Sequence, residues 1–200
     1  MASRTLRLLL ATLVGAALTL GTLGTAWAGP ATDVVKAKQV TLRELLKQNN
    51  AESAKKITAI FDQLLDYDVL AQGSLGSEWA ARSDAEKAQF TDLLKQLVRR
   101  SYERNLKKTL RFEIEYVGED EASGAVIVKT KAKSSDEREE PVELNYKLRQ
   151  TDGNWRIEDI ITEGVSLVGS YRSQFTRIVK KDGFPALIKK MKDKLAKGDV

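Results

Sequence analysis

The hydrophobic pattern of this chain changes period once, near residue 110, and that change limits the folds open to it. Before it, apolar residues recur every three or four positions; after it, they alternate. Val34, Val35, Ala37, Val40, Leu42, Leu45 and Leu46 form a helical stripe that breaks at Asn49-Asn50. A second helix starts near Ala51 with Ala54, Ile57, Ile60, Phe61, Leu64 and Leu65 on one face. A short helical or looped stretch covers Tyr67 to Leu75. Ser83-Asp84-Ala85-Glu86 then reads as a capping box, with Ser83 accepting from the N3 amide and Glu86 reaching back. The helix it opens carries Phe90, Leu93, Leu94, Leu97, Val98 and Tyr102 and runs to about Lys108, roughly 37 Å at the helical rise.

Past that point Phe112, Ile114 and Tyr116 alternate with charged residues. Val126, Val128 and Thr130 do the same, as do Val142, Leu144, Tyr146 and Leu148. These are half-buried strands with one wet face. Thr151-Asp152-Gly153-Asn154 is a turn into a fourth strand, with Trp155, Ile157, Asp159 and Ile161 on one face. Four strands in succession with short connections make an antiparallel meander. One α+β domain with a four-stranded antiparallel sheet is the simplest architecture. The fourth strand turns through Gly164 straight into a helix bearing Val165, Leu167, Val168, Tyr171 and Phe175. Strand and helix joined this way supply two walls of a pocket. A last helix follows Gly183, a C-cap, and Pro185, a first-turn residue.

Residues 1–28 read as an address. Arg4 and Arg7 precede an uncharged apolar run, Leu8 to Leu23, and Ala26-Trp27-Ala28 has the small-x-small pattern of a signal-peptidase site. The reading is cleavage after Ala28, with an uncleaved membrane anchor as the alternative, export to the periplasm, and a single domain over 29–200. No Cys follows the apolar run, which excludes a lipid-anchored form. The chain has neither Cys nor His. That removes disulfides, thiol nucleophiles, the usual general base and the commonest zinc ligands. The net charge is +5 at pH 7, and the two leader arginines carry part of it. One basic cluster lies at Arg99, Arg100, Arg104, Lys107, Lys108 and Arg111, and another on the last helix. No aromatic-interleaved basic motif accompanies them, so nucleic acid is not an expected partner.

Two runs carry a family resemblance. Trp155-x-Ile157-x-Asp159-Ile160 leads into Glu163-Gly164-Val165-Ser166-Leu167-Val168 and then Tyr171-Arg172-Ser173-Gln174-Phe175; upstream stand Phe61-Asp62, Leu75-Gly76-x-x-Trp79, Phe90 and Tyr102. This pattern is similar to the MlaC family, periplasmic phospholipid carriers of the maintenance-of-lipid-asymmetry system, also called toluene-tolerance proteins. The resemblance implies a twisted sheet and helical layer of the nuclear-transport-factor-like cone type. It also implies an apolar pocket for acyl chains, with phospholipid as cargo and no cofactor. Two partners are implied: an inner-membrane ABC transporter complex with a lipid-binding ring, and an outer-membrane lipoprotein–porin complex.

The candidate pocket residues are Val128, Leu144, Tyr146, Trp155 and Ile157 from the sheet, and Trp79, Phe90, Leu94, Leu97, Val165, Leu167, Val168, Tyr171 and Phe175 from helices and loops. Each also suits an ordinary core position. Arg172 is the candidate for a lipid phosphate, with a surface ion pair to Glu163 or Asp159 as its other reading. Asp159, on the face of Trp155, needs a partner and is expected near the pocket rim, bonded to backbone amides or to Arg172. Two other functions fit the same residues. One is a cone-fold enzyme with Asp159 as base and Tyr146 or Tyr171 as oxyanion donor. The other is an adaptor whose core is filled.

Overall fold

The computed structural model describes residues 29–136 and 138–197, and for residues 102–109 the backbone alone. The leader read at 1–28 lies outside the described residues. So do the side chains of Tyr102, Arg104, Lys107 and Lys108. Four helices come first: α1 (Pro30–Gln48), α2 (Ala51–Leu64), α3 (Tyr67–Leu75) and, after a short 3-10 turn, α4 (Asp84–Thr109). Then come β1 (Phe112–Ala122), β2 (Ala125–Ser134), β3 (Val142–Thr151), β4 (Asn154–Thr162), β5 (Val165–Ser166), α5 (Leu167–Asp182) and α6 (Phe184–Lys197).

Local chemistry sets the boundaries. Asn49 ends α1 in the left-handed region, and Asn50 opens α2 with a reciprocal box: Ser53 N–H donates to Asn50 Oδ1 at 2.8 Å, and Asn50 N–H donates to Ser53 Oγ at 3.1 Å. The box expected at Ser83 forms as well, with Ser83 N–H donating to Glu86 Oε2 at 2.9 Å and Glu86 N–H to Ser83 Oγ at 3.3 Å. Ser123-Gly124, Asp152-Gly153 and Glu163-Gly164 all have positive φ at both residues. That is the twist a two-residue hairpin needs.

The strands run in sequence order, β1 to β5, every neighbour antiparallel. The sheet therefore has five strands, one more than the alternation indicates. Val165, read from sequence as the start of a helix, instead pairs with Thr162, because the Glu163-Gly164 turn folds the chain back on β4. Two bulges interrupt the ladders, at Val117 in β1 and at Glu158 in β4. A bulge reverses the alternation beyond it. Asp159 and Ile161 therefore leave the face of Ile157 and fall opposite Lys147 and Asn145, while Ile160 and Thr162 take the inner positions.

The outer face is wet and laced with ion pairs. Lys133 meets Glu115 at 2.9 Å, Lys147 meets Glu158 at 3.5 Å, and Arg149 also pairs with Glu158, which is buried. The inner face meets the helices. Their core centres on Phe90, fully buried on α4, which stands edge-on to Phe175 of α5 with ring centres 5.6 Å apart and lies 6.4 Å from Phe184 of α6. Burying such a ring is worth about 2–3 kcal/mol. α1 is moored to β1 by Arg43, whose Nη1 donates to the Phe112 carbonyl at 2.7 Å and Nη2 to the Leu110 carbonyl at 3.2 Å. Among the described residues no helix is long and apolar enough to cross a membrane.

Candidate apolar binding site

Sheet and helices do not close completely. Between them lies a cavity of about 420 Å³. Ile114, Ala132, Leu144, Tyr146, Ile157 and Ile160 form its floor. Val35, Leu42 and Leu46 of α1, Phe61 and Leu64 of α2, and Leu167 and Tyr171 of α5 form its cover. Phe112, Val142 and Thr162 lie at one end of the sheet, and exposed Thr162 marks the rim there. Such a volume is within the usual range for ligand pockets, about 300–1,000 Å³, and so is its mainly apolar lining.

The few polar groups are sorted by charge. Lys38 and Arg43 line the cavity, but their charged ends are engaged elsewhere. Lys38 Nζ donates to exposed Gln63 at 3.3 Å, and Arg43 holds the two backbone carbonyls that moor α1. The neighbouring donors are neutral. Gln39 Nε2 donates to the Tyr146 hydroxyl at 3.4 Å, and the Tyr116 hydroxyl donates to Gln39 Oε1 at 2.5 Å. Burial pushes the Tyr146 phenol up to about 12 and raises that of Tyr171 too. Among the described residues no group of three or more acidic side chains is placed to hold a metal ion.

The cavity gathers only some of the residues singled out from sequence. Leu144, Tyr146, Ile157, Leu167 and Tyr171 line it. Leu94 and Val168 line a small adjoining recess next to Tyr171. Phe90, Leu97, Val128 and Phe175 are buried in the packed core, away from the lining. On α4 the cavity is reached by Val98, one position beyond Leu97. Trp79 and Trp155 are half-buried against the core outside the cavity, with the Lys87 ammonium 5.8 Å from the Trp79 ring centre. Val165 is 61% exposed on β5.

Arg172 does not line the cavity. Its Nε donates to the Gly73 carbonyl at 2.7 Å and its stem packs on Gly76, joining α5 to α3. A headgroup contact by this residue would fall to the rest of its guanidinium. Asp159, expected on the Trp155 face, is turned off it by the bulge at Glu158 and does not line the cavity. It does meet backbone amides, accepting from Ile160 N–H at 2.8 Å and Val168 N–H at 3.1 Å, together with the Ser166 hydroxyl at 2.5 Å. The α1 wall, with Gln39 and Arg43, escaped sequence reasoning. Its one local signal is a pair of polar residues four apart inside the stripe Val35, Leu42, Leu46.

One face of a sheet wet, the other closed by helices around an apolar cavity, defines an α+β binding protein rather than a filled sandwich. The chain belongs to the MlaC family: the model of the MlaC protein matches residues 31–193. Among solved structures, it resembles the phospholipid-binding protein from Ralstonia solanacearum in complex with a phospholipid, at a TM-score of 0.71 and 22% identity. The match covers 86% of this chain and 100% of that one. Among curated proteins no match is found.

Proposed function

We propose that this protein is a periplasmic phospholipid carrier, holding acyl chains in the cavity with the headgroup at the rim. The observation that carries this reading is the apolar cavity of about 420 Å³ in a chain of the MlaC family. A two-chain phospholipid buries on the order of thirty CH₂ groups at about 0.8 kcal/mol each, so it does not leave a bilayer for water unaided. A dry, deep cavity lowers that cost, and a filled adaptor core has none to offer. The phospholipid bound by the Ralstonia solanacearum structure supports the choice of cargo. On this reading lipid passes between an outer-membrane lipoprotein–porin complex and an inner-membrane ABC transporter complex with a lipid-binding ring. The enzyme reading finds little support, since the Asp159 carboxylate is engaged by two amides and a hydroxyl away from the cavity.

The test is native mass spectrometry of protein purified from a periplasmic extract, with lipid identification after denaturing extraction. A stoichiometric phospholipid adduct is expected. Protein that carries no lipid and acquires none from vesicles would refute the carrier reading.

A further inference from the structure

Three polar side chains, of which Gln39 and Tyr146 line the cavity, form a directed chain of hydrogen bonds. Tyr116 gives its proton to Gln39 Oε1, and Gln39 gives an amide proton to the Tyr146 hydroxyl. Tyr146 accepts, and among the described residues none accepts its own proton. The chain thus ends in an unspent donor on a residue that lines the cavity. Tyr146 is half-buried, and a donor set in an apolar wall with no protein acceptor favours a ligand that brings one.

We propose that Tyr146 donates to a neutral carbonyl oxygen on the cargo, the ester carbonyl of a fatty acyl chain, and that the cavity thereby prefers ester-linked to ether-linked lipids. The proposal rests on the carrier reading. The acceptor must be neutral because the surroundings are. Tyr146 faces Val128 and Ile160 across the ladders, while Lys38 and Arg43 have their charged ends on Gln63 and on backbone carbonyls. A phosphate beside Tyr146 would be a buried charge without a cation. Depth agrees as well. Tyr146 lies two residues along β3 from Leu144, which pairs with rim residue Thr162, so it stands about 7 Å further in. In a glycerolipid the ester carbonyls sit at that remove, between the phosphate and the chains. The Tyr146 phenol, raised to about 12, keeps its proton to offer at any neutral pH.

The test is competition. Lipid-stripped protein is incubated with vesicles holding equal amounts of a diacyl phosphatidylglycerol and its diether analogue with the same chains, and bound lipid is read by native mass spectrometry. Both lipids carry the phosphate, so the ratio isolates the carbonyl. The expected ratio is about tenfold in favour of the diester, equivalent to about 1.4 kcal/mol. Tyr146→Phe should bring it close to one. Equal uptake by the wild type, or a preference that survives Tyr146→Phe, overturns the proposal and leaves the carrier reading standing. Uptake of neither lipid by the wild type overturns both. An equal wild-type ratio overturns the proposal whether or not the variant folds.

Discussion

Asp159 holds Val168: the carboxylate of β4 accepts the Val168 amide of α5 at 3.1 Å, and it also takes the hydroxyl of Ser166, the residue that caps that helix. The strand that floors the cavity and the helix that covers it are therefore fastened at one carboxylate. Asp159→Ala should cost about 1–3 kcal/mol, the range for a lost cap and an orphaned amide. Urea unfolding should show a lower midpoint at an unchanged slope, and the folded variant should still carry lipid. Stability equal to wild type would place the fastening in packing alone.

Filling the cavity separates binding from folding. Ala132 on the floor is the smallest of the apolar lining residues. Ala132→Phe should push a ring into the space and lower lipid occupancy at least about tenfold, on the order of the contacts one excluded chain segment makes. Circular dichroism should be unchanged. Full occupancy in the variant would mean that the acyl chains lie elsewhere.

The aromatic core gives the converse. Phe90 is fully buried between Phe175 and Phe184 and does not touch the cavity. Phe90→Ala should destabilise by about 3–5 kcal/mol through the void it leaves. Under conditions where the variant remains folded, lipid occupancy should match wild type. Denaturant titration with and without bound lipid checks both parts.

Alkaline pH should unfold the protein through its buried tyrosines. Burial raises Tyr67 and Tyr146 to about 12, whereas an unfolded tyrosine titrates near 10. Below about pH 10 both states keep these protons and stability is level. Between about 10 and 12 only the unfolded chain releases them, so stability falls as pH rises toward the folded values. Urea midpoints at pH 9, 10.5 and 11.5 should decline, and Tyr146→Phe should shallow the decline. A level profile would mean the phenols ionise freely in the folded protein.

Much of the architecture can be read from residues alone, because its signals are local. The capping box at Ser83, the breaker pair Asn49-Asn50 and the period-two runs each depend on neighbours within four positions. What cannot be read depends on an insertion or on a distant partner. The bulge at Glu158 leaves no mark in the alternation of Trp155, Ile157, Asp159 and Ile161, yet it decides which of them face inward. Core and cavity wall are equally apolar, so nothing in Phe90 or Leu97 distinguishes them from Leu144 or Tyr171. Gln39 becomes meaningful only when Tyr116 and Tyr146, far along the chain, are brought against it.

The separation of the Phe90 cluster from the cavity bears on how such a protein can diversify. The aromatic cluster adds stability without lining the cavity, whereas lining residues such as Phe61 and Ile157 serve both core and cavity. The floor is built from consecutive hairpins and the cover from α1 and α2, before the sheet, with α5 after it. Substitutions at Ala132 or Leu144, which lie outside that core cluster, can therefore widen or narrow what is carried while the aromatic cluster keeps the fold intact. Lineages built on this plan are free to drift toward different cargoes without first losing a foldable protein.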